Sequence, residues 1–163
     1  MMLSARALLG GIAGVALAAV GAALVSQHVF EMQPCPWCVL QRLVFVVIGL
    51  VALAGLAARS APAQRLTALA LLLLAGAGVA AVLWQHFVAA ASNSCNLTLA
   101  DRILNGSRLP ALLPEVFEAR ATCADAAVDL LGLPYEFWAL GLFVAVGAVA
   151  VALLMRARNA PVV

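Results

Sequence analysis

Apolar residues in this chain come in four long runs, the first three separated by short breaks and the fourth set off by a long one: Ala7 to Val29, Val39 to Ala58, Leu66 to Ala90 and Trp138 to Met155. About 20 residues of helix, rising about 1.5 Å each, cross the hydrocarbon core of a bilayer. Each run is therefore long enough to span one, or nearly so. The pattern predicts an all-α membrane protein, a four-transmembrane-helix bundle, in a single domain over residues 1–163. Between the second and third runs, RSAPAQR (residues 59–65) reads as a hairpin turn in which Pro62 prevents helix continuation. The first run imitates a secretory signal, with Arg6 ahead of it and Ala16, Leu17 and Ala18 as a small-residue site. It outruns the about 7 to 15 apolar residues of such signals and is read as the first span.

Composition agrees, since 66% hydrophobic and 10% charged residues lie outside the range of a soluble globular domain. Charge then orients the bundle. Arg6, Arg59, Arg65, Arg156 and Arg158 flank the spans on one side with no acidic residue among them, which predicts that side, and both termini, to be cytoplasmic. The opposite side carries one short and one long periplasmic loop, about residues 30–38 and 91–137. The net charge of +2 is the sum of these opposed biases and points to no nucleic-acid partner. In the long loop, short apolar clusters alternate with turn residues such as Asn105, Gly106, Pro110 and Pro114. That pattern predicts a segment resting on the membrane surface rather than a core-bearing domain, with LPALLPEVF as a candidate interfacial helix.

The chemistry lies in the cysteines. Cys35, Cys38, Cys95 and Cys123 all fall on the predicted outer side and outside the spans. In a compartment that permits disulfides, such a set reads as redox pairs or as bridges. In PCPWCVLQR, Pro36 fixes a backbone dihedral between two thiols. Cys38 falls at or near the amino end of the second span, where free N–H groups and the helix dipole favour a thiolate, the nucleophile of disulfide exchange. Arg42 follows four residues later, one helical turn away on the same face. An unpaired Arg at mid-span costs about 3 kcal/mol, so it needs an anionic or carbonyl partner unless it snorkels to the headgroups. His28 and His86, each at the outer end of a span, belong to the same layer, as do Trp37, Trp84 and Trp138. Cys95 and Cys123 have 27 residues between them. Joined, they would form either a static staple contributing about 3 to 4 kcal/mol through chain entropy or a disulfide that is passed along. Only Cys35 and Cys38 are close in sequence, which argues against a zinc site.

Together these residues resemble the bacterial inner-membrane disulfide-bond formation protein B family, DsbB. The likeness runs through SQHVF before PCPWCVLQR, WQH at the end of the third run, ATC around Cys123, and DLLGLPYEFWALGLF entering the fourth. It implies a quinone-dependent protein thiol oxidase with disulfides Cys35–Cys38 and Cys95–Cys123 and no metal. It further implies that Cys95 forms a mixed disulfide with a periplasmic thioredoxin-fold partner, DsbA, and that Cys35 exchanges with Cys123. Cys38 would face the ring of ubiquinone or menaquinone, with Arg42 polarising one carbonyl and His86 near the other edge. Some members carry Glu where this chain has Gln41, which leaves the route of protons to the quinone open. Two other readings stand beside it: a membrane scaffold with purely structural disulfides, and a vitamin K epoxide reductase-like enzyme. The latter would carry its Cys-x-x-Cys late in the chain. A metal transporter would want ligands at mid-bilayer, and the ionisable groups here sit near span ends.

Overall fold

The computed structural model describes residues 4–58, 60–91 and 98–159, so Arg59 and Cys95 lie outside the described residues. Among the described residues, four helices are long and apolar enough to cross a membrane. Helix α1 (Ala5–His28) starts at Ser4, whose hydroxyl accepts from the Ala7 amide at 3.1 Å. Helix α2 (Pro36–Ala57) begins three residues before the apolar run, because Cys35 caps it and Pro36 occupies its first turn. Helix α3 (Ala61–Trp84) likewise begins at the turn rather than at Leu66. Pro62 sits in its first turn, where a missing N–H costs nothing, so this proline starts a helix, while α2 has already ended at Ala57 with Ala58 extended. Residues Gln85–Ala89 continue α3 as a π-helical turn. Helix α7 (Tyr135–Asn159) closes the bundle.

The neighbours are α1 with α2, α2 with α3 and α3 with α7, while α1 and α7 meet only lightly. The bundle is therefore closed on three sides and slack on the fourth. Its core runs through Ile12, Ala16, Ile48, Ala52, Leu71 and Val146. Phe45 and Phe143 stack across it with ring centroids 4.1 Å apart. Phe143 fits because Gly78 leaves room: a methyl there would collide with its ring. Leu17, Leu50, Leu73 and Val144 point outward and are exposed. An apolar surface of that kind on all four helices is what a bilayer covers.

The long connection does not simply lie on a membrane surface. Helix α4 (Leu99–Ser107) opens with a reciprocal cap in which Asp101 accepts from the Thr98 amide at 2.8 Å and Thr98 accepts from the Asp101 amide at 3.2 Å. It packs on α2, where Leu104 and Phe117 are buried against Val39. LPALLPEVF forms two single turns, α5 (Leu109–Leu112) and α6 (Pro114–Phe117), rather than one helix. Leu113 breaks them apart at φ −136° and ψ 67°, because the residue before a proline is kept out of the helical region. A two-stranded hairpin, β1 (Asp129–Leu130) with β2 (Leu133–Pro134), then leads into α7. Leu131 and Gly132 turn it with φ of 56° and 81°, the positive pair that a two-residue hairpin turn requires.

Candidate redox-active site

The amino end of α2 gathers the sulfur. Cys35 and Cys38 have their Sγ atoms 2.6 Å apart, closer than van der Waals contact, and the Cys38 amide donates to Cys35 Sγ at 3.2 Å. Cys35 is fully buried. On its other side it meets Cys123 within one buried cluster. A chain segment 85 positions beyond Cys38 thus arrives beside the dithiol. It is held there by the amides of Arg120 and Ala121, which donate to the Pro34 carbonyl at 3.0 and 3.3 Å. Thr122 and Asp125 close a local turn around Cys123, with the Asp125 amide donating to Thr122 Oγ1 at 3.2 Å.

These contacts divide the proton between the sulfurs. Cys123 is lowered below the usual thiol range, first by the hydrogen bond it accepts from Cys35 and then by one from the Trp37 backbone amide at the start of α2. Cys35 is pushed well above that range, chiefly by the same bond to Cys123, then by Cys38 and burial. The arrangement keeps the proton on Cys35 and favours charge on Cys123. Cys35, Cys38 and Cys123 are free thiols here.

Around Cys38 lies a polar layer in an otherwise apolar protein. Among the described residues, the buried polar side chains are Gln27, Gln41, Arg42, Gln85 and Glu136, all at this end of the bundle. Gln41 donates to Gln85 Oε1 at 2.7 Å, and Gln85 in turn points its amide at Cys38 Sγ, 3.4 Å away. Arg42 does not snorkel. It is 5% exposed, donates to Gln27 Oε1 at 2.9 Å and to the Val116 carbonyl, and keeps its Nε buried without a protein partner.

A cavity of about 310 Å³ opens beside this layer, between α1 and α7. Ala19, Ala23 and Leu142 form its apolar flanks, and Cys38, Arg42, Gln85 and Glu136 its polar end. At the loop side, Tyr135 on α7 donates to Ser26 Oγ on α1 at 3.1 Å, and Leu130 of the hairpin adds to the wall. The light contact between α1 and α7 explains why the space exists there. An apolar slot with a few convergent donors at one end suits a flat ring bearing carbonyl acceptors and an apolar tail. Arg42, with an unfilled buried donor, and the Gln85 amide are the groups able to hold such a ring.

The predicted residues Cys35, Cys38, Cys123 and Arg42 come together here. His86 does not line the cavity; its Nδ1 lies 2.8 Å from Oε1 of Glu136, which does. His28 turns to the loop, with Nε2 3.3 Å from the Glu115 carbonyl oxygen. Sequence reasoning missed Gln27, Gln85 and Glu136 as site residues. Their signal was present in the polar pairs SQH and WQH at span ends, and in a carboxylate inside an apolar helix.

A family model described as Disulfide bond formation protein DsbB matches residues 5–153. The Disulfide bond formation protein B of Ralstonia nicotianae is 36% identical over 162 residues, covering 98% of this chain and 100% of that protein. That of Herminiimonas arsenicoxydans is 35% identical over 147 residues, covering 89% and 92%. Disulfide bond formation protein B 1 of Pseudomonas syringae pv. syringae is 33% identical over 151 residues, covering 90% and 88%.

Proposed function

Because this chain belongs to the DsbB family of disulfide bond formation proteins, we propose that it oxidises a periplasmic thioredoxin-fold dithiol protein of the DsbA kind and passes the electrons to a membrane quinone. The bundle sits in a bacterial inner membrane with its cysteine-bearing end toward the periplasm. A relay of this kind is what keeps a bacterial periplasm oxidising. The observation that carries the reading is the position of Cys35, in contact with Cys123 on one side and Cys38 on the other, while Cys38 alone of the three lines the cavity.

The Cys95–Cys123 disulfide takes electrons from the partner through a mixed disulfide at Cys95, which frees the Cys123 thiolate. That thiolate attacks Cys35 of the Cys35–Cys38 disulfide. A Cys35–Cys123 bond forms, the Cys35–Cys38 bond breaks, and Cys38 leaves as a thiolate facing the cavity. The α2 amino end and the Gln85 amide stabilise its charge. The partner's second thiol attacks the mixed disulfide, which releases the oxidised partner and frees Cys95. The Cys95 thiolate attacks Cys123, so the Cys95–Cys123 bond re-forms and the Cys35–Cys123 bond breaks. Cys35 then re-forms its disulfide with Cys38 as the electron pair passes to ubiquinone or menaquinone, the substrate, and the fixed cation of Arg42 stabilises negative charge growing on a carbonyl oxygen. Over one turnover the partner's two thiols become one disulfide, and the quinone leaves as quinol with their two electrons and two protons.

The test is quinone absorbance in detergent after addition of a reduced DsbA-type protein, with the Cys95→Ser variant alongside. Quinone should fall in step with partner oxidation, and the variant should be inert toward the protein substrate. A folded, quinone-supplied protein that leaves both reactants unchanged with its native partner would make the disulfides structural.

A further inference from the structure

Reducing a quinone takes two protons as well as two electrons, and most of the polar end of the cavity cannot supply them. Arg42 keeps its proton at any physiological pH, and Gln41 and Gln85 do not titrate. Glu136 is the carboxyl group among the described residues lining the cavity, and it is 5% exposed. A buried carboxyl on an apolar helix needs a partner and, in a membrane span, usually a purpose. Its partner is His86, 2.8 Å away, whose side chain is 32% exposed and which packs against Phe87 and Phe137. The π-helical turn Gln85–Ala89 supplies both contacts, sending Gln85 to Cys38 and the next residue to Glu136. Such turns recur at functional sites.

We propose that Glu136 and His86 form the proton path to the quinone. Glu136 gives its proton to a quinone oxygen as that oxygen gains charge from Cys38, and His86 returns a proton to Glu136 from water at the loop end of the bundle. Two passes deliver the two protons of the quinol, and the oxidised partner's thiols release two to the same water, so the reaction balances. The proposal rests on the quinone reading of the cavity. It also fills the role left vacant by Gln41, from α7 instead of α2. The titratable groups that face Glu136 are His86, Cys38, Arg42, Tyr135 and Cys123, and α1 presents none to the cavity among the described residues.

The alternative is a buried pair that only ties α3 to α7, and the experiment separates the two. The full chain in detergent, with ubiquinone-1 and reduced DsbA-type protein, is compared with Glu136→Gln and Glu136→Asp. Quinol formation in Glu136→Gln should slow by about 100-fold, the loss typical of a removed general acid. Ubiquinone-1 binding, followed by tryptophan quenching, and thermal unfolding should stay as in the unaltered protein. Infrared difference spectra on quinone reduction should carry a carboxyl C=O band that vanishes in Glu136→Gln and returns, shifted, in Glu136→Asp. An unchanged rate and pH profile in Glu136→Gln, or a rate loss matched by an equal loss of ubiquinone-1 binding, overturns the path while leaving the quinone reading intact. If Glu136→Gln does not fold, the infrared band in the unaltered protein and in Glu136→Asp decides: absence from both overturns the path. An unaltered protein that consumes no quinone overturns both readings together.

Discussion

Gln27 of α1 holds Arg42 of α2: its Oε1 accepts from the guanidinium at 2.9 Å, while its own amide donates to the Glu115 carbonyl at 3.2 Å. One side chain thus joins two spans and α6 around a buried charge. Gln27→Leu should cost about 1.5 to 3 kcal/mol, the range for hydrogen bonds to charged groups. Thermal unfolding in detergent checks this, and an unaltered midpoint would mean that Arg42 finds another partner without loss. Arg42→Met should weaken quinone binding about tenfold or more while sparing affinity for the protein partner. An unchanged apparent quinone affinity removes Arg42 from the site.

Cys38→Ser should abolish quinone reduction while a Cys95–Cys123 bridge still forms, because Cys38 is the sulfur that lines the cavity. Undiminished turnover in that variant would end the assignment. Gln85→Leu is the milder companion. It removes the amide 3.4 Å from Cys38 Sγ and should slow quinone reduction about tenfold, the worth of about one such bond to a charged sulfur.

The pH midpoint for alkylation of Cys123 in the reduced protein should lie below that of an ordinary thiol, since its titration is lowered chiefly by the bond from Cys35. Cys35→Ala should move the midpoint of the labelling profile upward, and a profile that stays in place shows that the bond does not set it. The sign for stability follows from the direction. Cys123, lowered on folding, contributes fully above the unfolded thiol range, near about 8.5, and loses that share as pH falls through its lowered value. Cys35, raised on folding, contributes fully below that range and loses its share as pH rises beyond it. The reduced protein should therefore lose stability at high pH through Cys35 and at lower pH through Cys123.

Gly78→Ala should destabilise the bundle by about 1 to 3 kcal/mol, as overpacking does in a filled core. The added methyl would meet the ring of Phe143, which is fully buried and stacked on Phe45. Unfolding temperature measures this. A Gly78→Ala protein as stable as the original would show that the α3–α7 contact can shift.

Span number and the dithiol with its arginine were legible in the sequence because both are local. A run of apolar residues crosses a bilayer whatever its neighbours, and Cys38 and Arg42 are one helical turn apart on any helix that contains both. Boundaries were less legible. Helices α2 and α3 start earlier than their apolar runs because Cys35 caps one and a first-turn proline is tolerated in both. The long connection was least legible, since the burial of Leu104 and Phe117 against Val39 is a contact across distant sequence that no local pattern reports.

The sequence by itself determined a four-span chain, its charge bias and a cysteine set fit for exchange, since length, hydropathy and thiol chemistry are properties of residues and their near neighbours. Only the tertiary structure decided which side chains meet. Slack packing of α1 against α7 opens the cavity, Gln27 anchors Arg42 from another span, and His86 stands behind Glu136 instead of at the cavity wall. Those outcomes depend on how four nearly uniform apolar surfaces settle against one another, and van der Waals packing of that kind carries no signal in the order of the residues.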